Sequence, residues 1–201
     1  MSDPLGFRVA FYGDSIVTGW RGISSPNRRW TSIVSKSLGW EEVNIARNGV
    51  GFVRRRGEDR ADDGMPLGLL GEVLNSRTDL VVVALGGNDS VIVNDRYDDI
   101  QSAIVRDLRM LVDMFGQCRV VVLDLYSPHG EEKPPGWIAV RAFLKAATTD
   151  AGLLWLSGLD SAIGGDSALL CSDHVHPNDE GHAALARSIV GVLAPLAPPI
   201  N

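Results

Sequence analysis

Four short segments of this 201-residue chain carry groups able to act on an acyl carbonyl. Gly13-Asp14-Ser15 offers a hydroxyl. Asn44 to Gly51 contains Gly49 and Gly51, whose backbone can approach a ligand closely. Gly86-Gly87-Asn88-Asp89 offers a side-chain amide. Ser172 to Asn178 holds Asp173, His174 and His176. Singly, each is ordinary: turns are rich in Gly, Asp, Asn and Ser, and a histidine near a helix start often only caps it. Together they supply every part of acyl transfer. A serine hydroxyl attacks once a base takes its proton, and an imidazole titrates near neutrality. That imidazole needs an acceptor to hold its tautomer. Asp173 precedes His176 by three residues, so its carboxylate can fold back onto the ring Nδ1 across one turn. Pro177 biases His176 toward extended backbone. His174 is the competing base, too near Asp173 in sequence for that turn. Charge developing on the carbonyl oxygen would meet the N–H of Ser15, the N–H of Gly49 and the amide of Asn88. Gly51 is the alternative to Gly49.

These segments act together only if the fold gathers them. Strand candidates are Phe7–Tyr12, Glu42–Ile45, Asp79–Leu85, Arg119–Asp124 and Leu153–Leu156. Their near-continuous Val and Leu content implies burial on both faces, as in parallel sheets. Helix candidates alternate with them: Arg28–Leu38, Pro66–Asn75, the stripe Ile100, Ile104, Leu108, Leu111, Val112 and Phe115, then Gly136–Thr149 and Asn178–Leu193. The alternation predicts βαβ units, a parallel sheet and helices on both faces. Ligands of such sheets bind beyond the carboxyl ends of the strands, and all four segments lie at or beyond strand ends.

Composition narrows the classes. The length suits a single domain over residues 1–201. The net charge of -6 argues against a nucleic-acid footprint. The longest apolar run, Leu80–Leu85, is far short of the roughly 18 residues of a membrane helix, so no membrane insertion is expected. Met1 to Gly6 shows neither a basic nor an apolar leader region, and Cys118 and Cys171 are read as reduced thiols. Both features point to a cytoplasmic protein. Cys171 reads as a small buried residue rather than a nucleophile.

In order and spacing, Gly13-Asp14-Ser15, Gly49, Gly86-x-Asn88-Asp89 and Asp173-x-x-His176 resemble the four blocks of the GDSL/SGNH hydrolases. The resemblance runs from residue 13 to residue 176. It implies Ser15 as nucleophile, Asp173 and His176 as its partners, and Ser15, Gly49 and Asn88 as the oxyanion hole. It also implies a flavodoxin-like three-layer α/β/α sandwich with about five parallel strands, and no cofactor or metal. Members include esterases, lipases, thioesterases and carbohydrate acetylesterases. Ile16 stands where the family name has Leu, an apolar exchange. Gly-x-Ser-x-Gly, the nucleophile elbow of α/β-hydrolases, is absent.

The expected substrate is a small ester. Asp14, Phe52, Arg54, Asp89 and Trp137 are candidate substrate-binding residues, and Trp20, Arg21, Val53, Arg55, Arg56 and His129 are further candidates for the pocket wall. Arg54-Arg55-Arg56 is either a solvated loop or an anion site. Tyr126–Gly136 is a candidate rim or lid. No long insertion provides a lipid-burying cap, so acyl groups from acetyl to butyryl are favoured. A carbohydrate O-acetylesterase and an acyltransferase are alternatives at the same site. A metal-dependent phosphoesterase would use Asp14, Asn88, Asp89, His174 and His176, with His182 read as a solvent-side helix residue. A non-catalytic binding module is the remaining alternative.

Overall fold

The computed structural model describes residues 6–56 and 68–197. Five strands form one sheet: β1 (Arg8–Gly13), β2 (Glu41–Ala46), β3 (Leu80–Ala84), β4 (Val120–Leu123) and β5 (Leu154–Leu156). All pairings are parallel and the spatial order is β2-β1-β3-β4-β5. This is the flavodoxin-like order, in which the chain winds outward in both directions from a switch point between β1 and β3. The crossovers carry helices α1 (Ser15–Thr18), α2 (Trp30–Leu38), α3 (Leu69–Leu74), α4 (Tyr97–Phe115) and α5 (Pro135–Asp150), and α6 (Asp179–Leu193) follows β5. The Pro66 start expected for the third helix lies outside the described residues. The second helix starts later than expected. Pro26–Arg28 form a tight 3-10 turn, and extended backbone at Arg29 separates it from α2.

Alternation along the strands splits the core into two layers. Val9 and Phe11 of β1, with Leu80 and Val82 of β3, pack against Trp30 and Val34 of α2 and Leu185 and Ile189 of α6. Ala10 and Tyr12, with Val81 and Val83, face α3, α4 and α5 through Leu70, Ile104, Leu108 and Leu144. Phe11 meets Trp30 edge-on, with ring centroids 5.5 Å apart. Burial on both faces explains why the central strands read as unbroken apolar runs.

His182 is not on the solvent side of its helix. It is fully buried between α6 and α2, where its Nδ1 accepts the Trp30 N–H at 3.3 Å. That bond leaves the ring proton on Nε2, which has no partner among the described residues. Burial pushes the imidazole down from 6.5 to about 4. An unfolded chain takes up this proton at higher pH than the folded one, so the stability that His182 contributes is lost as pH drops from 6.5 toward 4. The whole window is worth about 3 kcal/mol. His182→Asn keeps an acceptor near Trp30 and removes the titration. The melting temperature of the variant minus that of the parent should rise as pH drops from 6.5 to 4, as measured by thermal denaturation of both proteins across that range.

Candidate active site

The chain leaves β1 at Gly13 and turns at once into α1. Asp14 caps this turn, its Oδ1 accepting the Ile16 N–H at 2.9 Å. Ser15 is therefore the first helical residue, 7% exposed at the carboxyl edge of the sheet. Among the described residues no acceptor takes its N–H.

The imidazole arrives from the far end of the chain. After β5, residues 170–177 form a loop closed by a bridge between Leu170 and Pro177. Asp173 organises this loop. Its Oδ1 accepts the N–H groups of Val175 and His176, each at 3.0 Å, and its Oδ2 lies 2.7 Å from His176 Nδ1. His176 Nε2 lies 2.9 Å from Ser15 Oγ. Partial burial disfavours the Asp173 charge, but the His176 N–H, the ring and the Val175 N–H outweigh it. The carboxyl is held well below the usual range. His174 is turned outward and exposed, with φ at 56°. The structure thus brings His176, and not His174, to the serine.

Asn88 lies on the 3-10 turn Gly87–Val91 that follows β3. Its Nδ2 donates to Asp14 Oδ2 and to the Val50 carbonyl, both at 3.1 Å. Its Oδ1 accepts from Arg54 Nη1 at 2.9 Å. The three partners fix the orientation of the amide. Burial pushes the Asp14 carboxyl up to about 7, and the nearby Asp89 charge adds to this against the Ile16 and Asn88 bonds.

Gly49 takes φ of 76° in the loop after β2, and its N–H meets no acceptor among the described residues. It does not line the cleft in this structure. Gly51, the alternative donor, is ruled out because its N–H bonds to the Arg54 carbonyl at 2.9 Å.

The cleft beside Ser15 has a volume of about 410 Å³. Leu85, Leu125, Trp137 and Leu159 form its apolar wall, and Tyr126 to His129 with Pro134 form the rim expected of the Tyr126–Gly136 loop. Of the proposed binding residues, Asp14, Arg54 and Trp137 line the cleft. Phe52 and Asp89 do not. The Phe52 ring is wholly buried in the core. Asp89 is fully buried and accepts the N–H groups of Phe52, Val53 and Arg54 at 2.6, 3.1 and 2.9 Å. It moors a loop, because a buried carboxylate must be satisfied by donors. Trp20, Arg21, Val53, Arg55 and Arg56 are likewise absent from the cleft wall, whereas His129 is part of it.

Sequence reasoning placed Tyr126 at the start of the rim but missed its tie to the histidine loop. Its hydroxyl donates to the Val175 carbonyl at 2.7 Å, tying the end of β4 to the His176 loop. A second tie is steric. A Cβ at Gly22 would stand 1.7 Å from the Pro177 carbonyl oxygen, so the segment after α1 touches the histidine loop backbone to backbone.

The competing chemistries find no such geometry. Among the described residues no three His, Cys, Asp or Glu side chains converge as metal ligands. Cys171 is half-buried, and burial with the Asp173 charge pushes its thiol up, away from a thiolate.

Comparison with known proteins agrees with this architecture. In three dimensions the chain is similar to the psychrotrophic esterase EstA from Pseudoalteromonas sp., with a TM-score of 0.71, 14% identity, and coverage of 92% of this chain and 95% of that one. It is similar to the lipase/acylhydrolase from Enterococcus faecalis, with a TM-score of 0.69, 17% identity, and coverage of 96% and 98%. A variant of Axe2, an acetyl xylan esterase from Geobacillus stearothermophilus, gives 0.69, 18% identity, and coverage of 98% and 97%. No curated protein matches in sequence. The model of the GDSL-like lipase/acylhydrolase family matches residues 11–184, which takes in every strand end described above. With most of its length inside that match, the chain belongs to the GDSL-like lipase/acylhydrolase family of carboxylic ester hydrolases.

Proposed function

We propose that the protein is a serine esterase that cleaves small carboxylic esters through an acyl-enzyme. The observation that carries this reading is the unbroken hydrogen-bond chain from Ser15 Oγ through His176 to Asp173, at 2.9 and 2.7 Å. His176 Nε2 takes the hydroxyl proton as Ser15 attacks the carbonyl, then returns it to the leaving alcohol. Water repeats the sequence to release the acid. Asp173 stays ionised and steadies the imidazolium.

The unused N–H of Ser15 is the first oxyanion donor. Gly49, expected as a further donor, stands outside the cleft wall, which leaves the Asn88 amide as the second donor. For Asn88 this requires the proton now given to Asp14 to be shared with the substrate oxygen. A protonated Asp14 accepts that proton less strongly, which favours the exchange. The acyl group lies along Leu85, Leu125, Trp137 and Leu159. A cleft of about 410 Å³, with no large cap among the described residues, favours acetyl to butyryl groups.

Ser15→Ala should abolish turnover of p-nitrophenyl butyrate and labelling by an organophosphonate while leaving the melting temperature unchanged. Near-normal turnover by the folded variant would exclude Ser15 as nucleophile. Asn88→Ala should lower kcat by about 10², and a change confined to KM would move Asn88 from the oxyanion hole to substrate binding. Asp173 holds its charge throughout the working range, so Asp173→Asn should lower kcat by about 10⁴ in a folded protein. A kcat within a few-fold of the parent would contradict this. Across a p-nitrophenyl ester series, kcat/KM should peak at or before butyrate, and a palmitate rate equal to the butyrate rate would exclude the short-acyl preference.

A further inference from the structure

The three consecutive arginines of the loop after β2 have different surroundings. Arg56 turns inward, where it pairs with the buried Asp107 at 2.5 Å and donates to the Phe52 carbonyl at 2.8 Å. Arg55 lies over Gly49 and is exposed. Arg54 is half-buried and lines the cleft with Ser15, Asn88 and His176. Its backbone is clamped from both sides, the N–H by Asp89 and the carbonyl by the Gly51 N–H, each at 2.9 Å. Its Nη1 donates to Asn88 Oδ1 at 2.9 Å. Among the described residues no carboxylate pairs with this guanidinium.

We infer that Arg54 reads an anionic group, a carboxylate or phosphate, on the alcohol portion of the ester. This extends the esterase reading above and rests on it. A guanidinium presents a planar fork of donors suited to such oxyanions. Here one arm is spent on Asn88, the backbone beneath is fixed, and the remaining donors have no counter-ion among the described residues. The assignment to the alcohol side follows from burial. Leu85, Leu125, Trp137 and Leu159 are each no more than 8% exposed, and a second charge placed among them would lose its hydration without gaining partners. The half-buried position of Arg54 lets an anion keep part of its water, so the charge is assigned to the portion of the ester that lies outside the apolar wall. Two of the three arginines are thus accounted for by the fold, and the third by a ligand.

The test compares 3-butyryloxy-4-nitrobenzoate with the corresponding benzamide. Both release a nitrophenolate, and each kcat/KM is normalised to the ester's own hydroxide rate. The wild-type enzyme should favour the carboxylate by about 10-fold or more, the scale of a charge-assisted hydrogen bond. Arg54→Gln should bring the ratio close to one, and Arg54→Lys should leave it between the two. The loss should fall chiefly on KM, because the anion is remote from the reacting bond. An equal loss on both esters in Arg54→Gln would make Arg54 only a positioning residue for Asn88 and overturn the proposal. A wild-type ratio near one, with both esters hydrolysed, would overturn it too while leaving the esterase reading intact. If the enzyme turned over neither ester nor p-nitrophenyl butyrate, and the phosphonate failed to label Ser15, the esterase reading would fail and this inference with it.

Discussion

The contact between the Ser15 hydroxyl and the His176 ring joins positions 161 residues apart. No local turn can make it. It exists because β1 is an interior strand, between β2 and β3, and α6 returns across the same face as α2, bringing the segment before α6 to the mouth of β1. A sheet with a different strand order would present the same residues on separate edges. The hydrogen-bond chain is thus a product of topology, held locally by the three bonds that Asp173 accepts within its own loop.

Buried carboxylates do much of the remaining positioning. Asp14, Asp89 and Asp107 all lie under the rim, and each faces donors from a segment that would otherwise be unsupported. Asp89 collects three backbone N–H groups of the loop after β2, and Asp107 holds Arg56, which in turn holds the Phe52 carbonyl. Removing either acid would leave several buried donors unsatisfied at once, so these residues support the site without facing it. At Asp14 the outcome is different. Its carboxyl meets both the cap of α1 and the amide of Asn88, so the protonation of one group is felt at the nucleophile's helix and at the neighbouring amide together.

Much of this was readable from residue order. Val and Leu runs marked the inner strands, helical stripes marked the crossovers, and the placement of polar residues at strand ends marked the rim. What escaped did so for physical reasons. His182 sits in a helix whose buried face is built partly from Gly181, Ala184 and Ala186, so small residues blur the stripe and a polar side chain reads as outward. Phe52 and Asp89 follow strands and look like pocket residues. Only the closed loop shows that one fills the core and the other serves backbone donors. The arginine triplet has uniform chemistry along the chain, and its division into three environments is set by loop geometry alone. The bond from Tyr126 escaped because its hydroxyl acts on a carbonyl 49 residues away.

The abutment of Gly22 on the Pro177 carbonyl gives the site a mechanical property. The sheet fixes where Ser15 stands, but the distance across to the imidazole is gauged by two main chains in van der Waals contact. A methyl group at position 22 would act as a wedge, prising the ring from the alcohol while touching neither. Position 22 therefore bears on the site although it lies outside the hydrogen-bond chain.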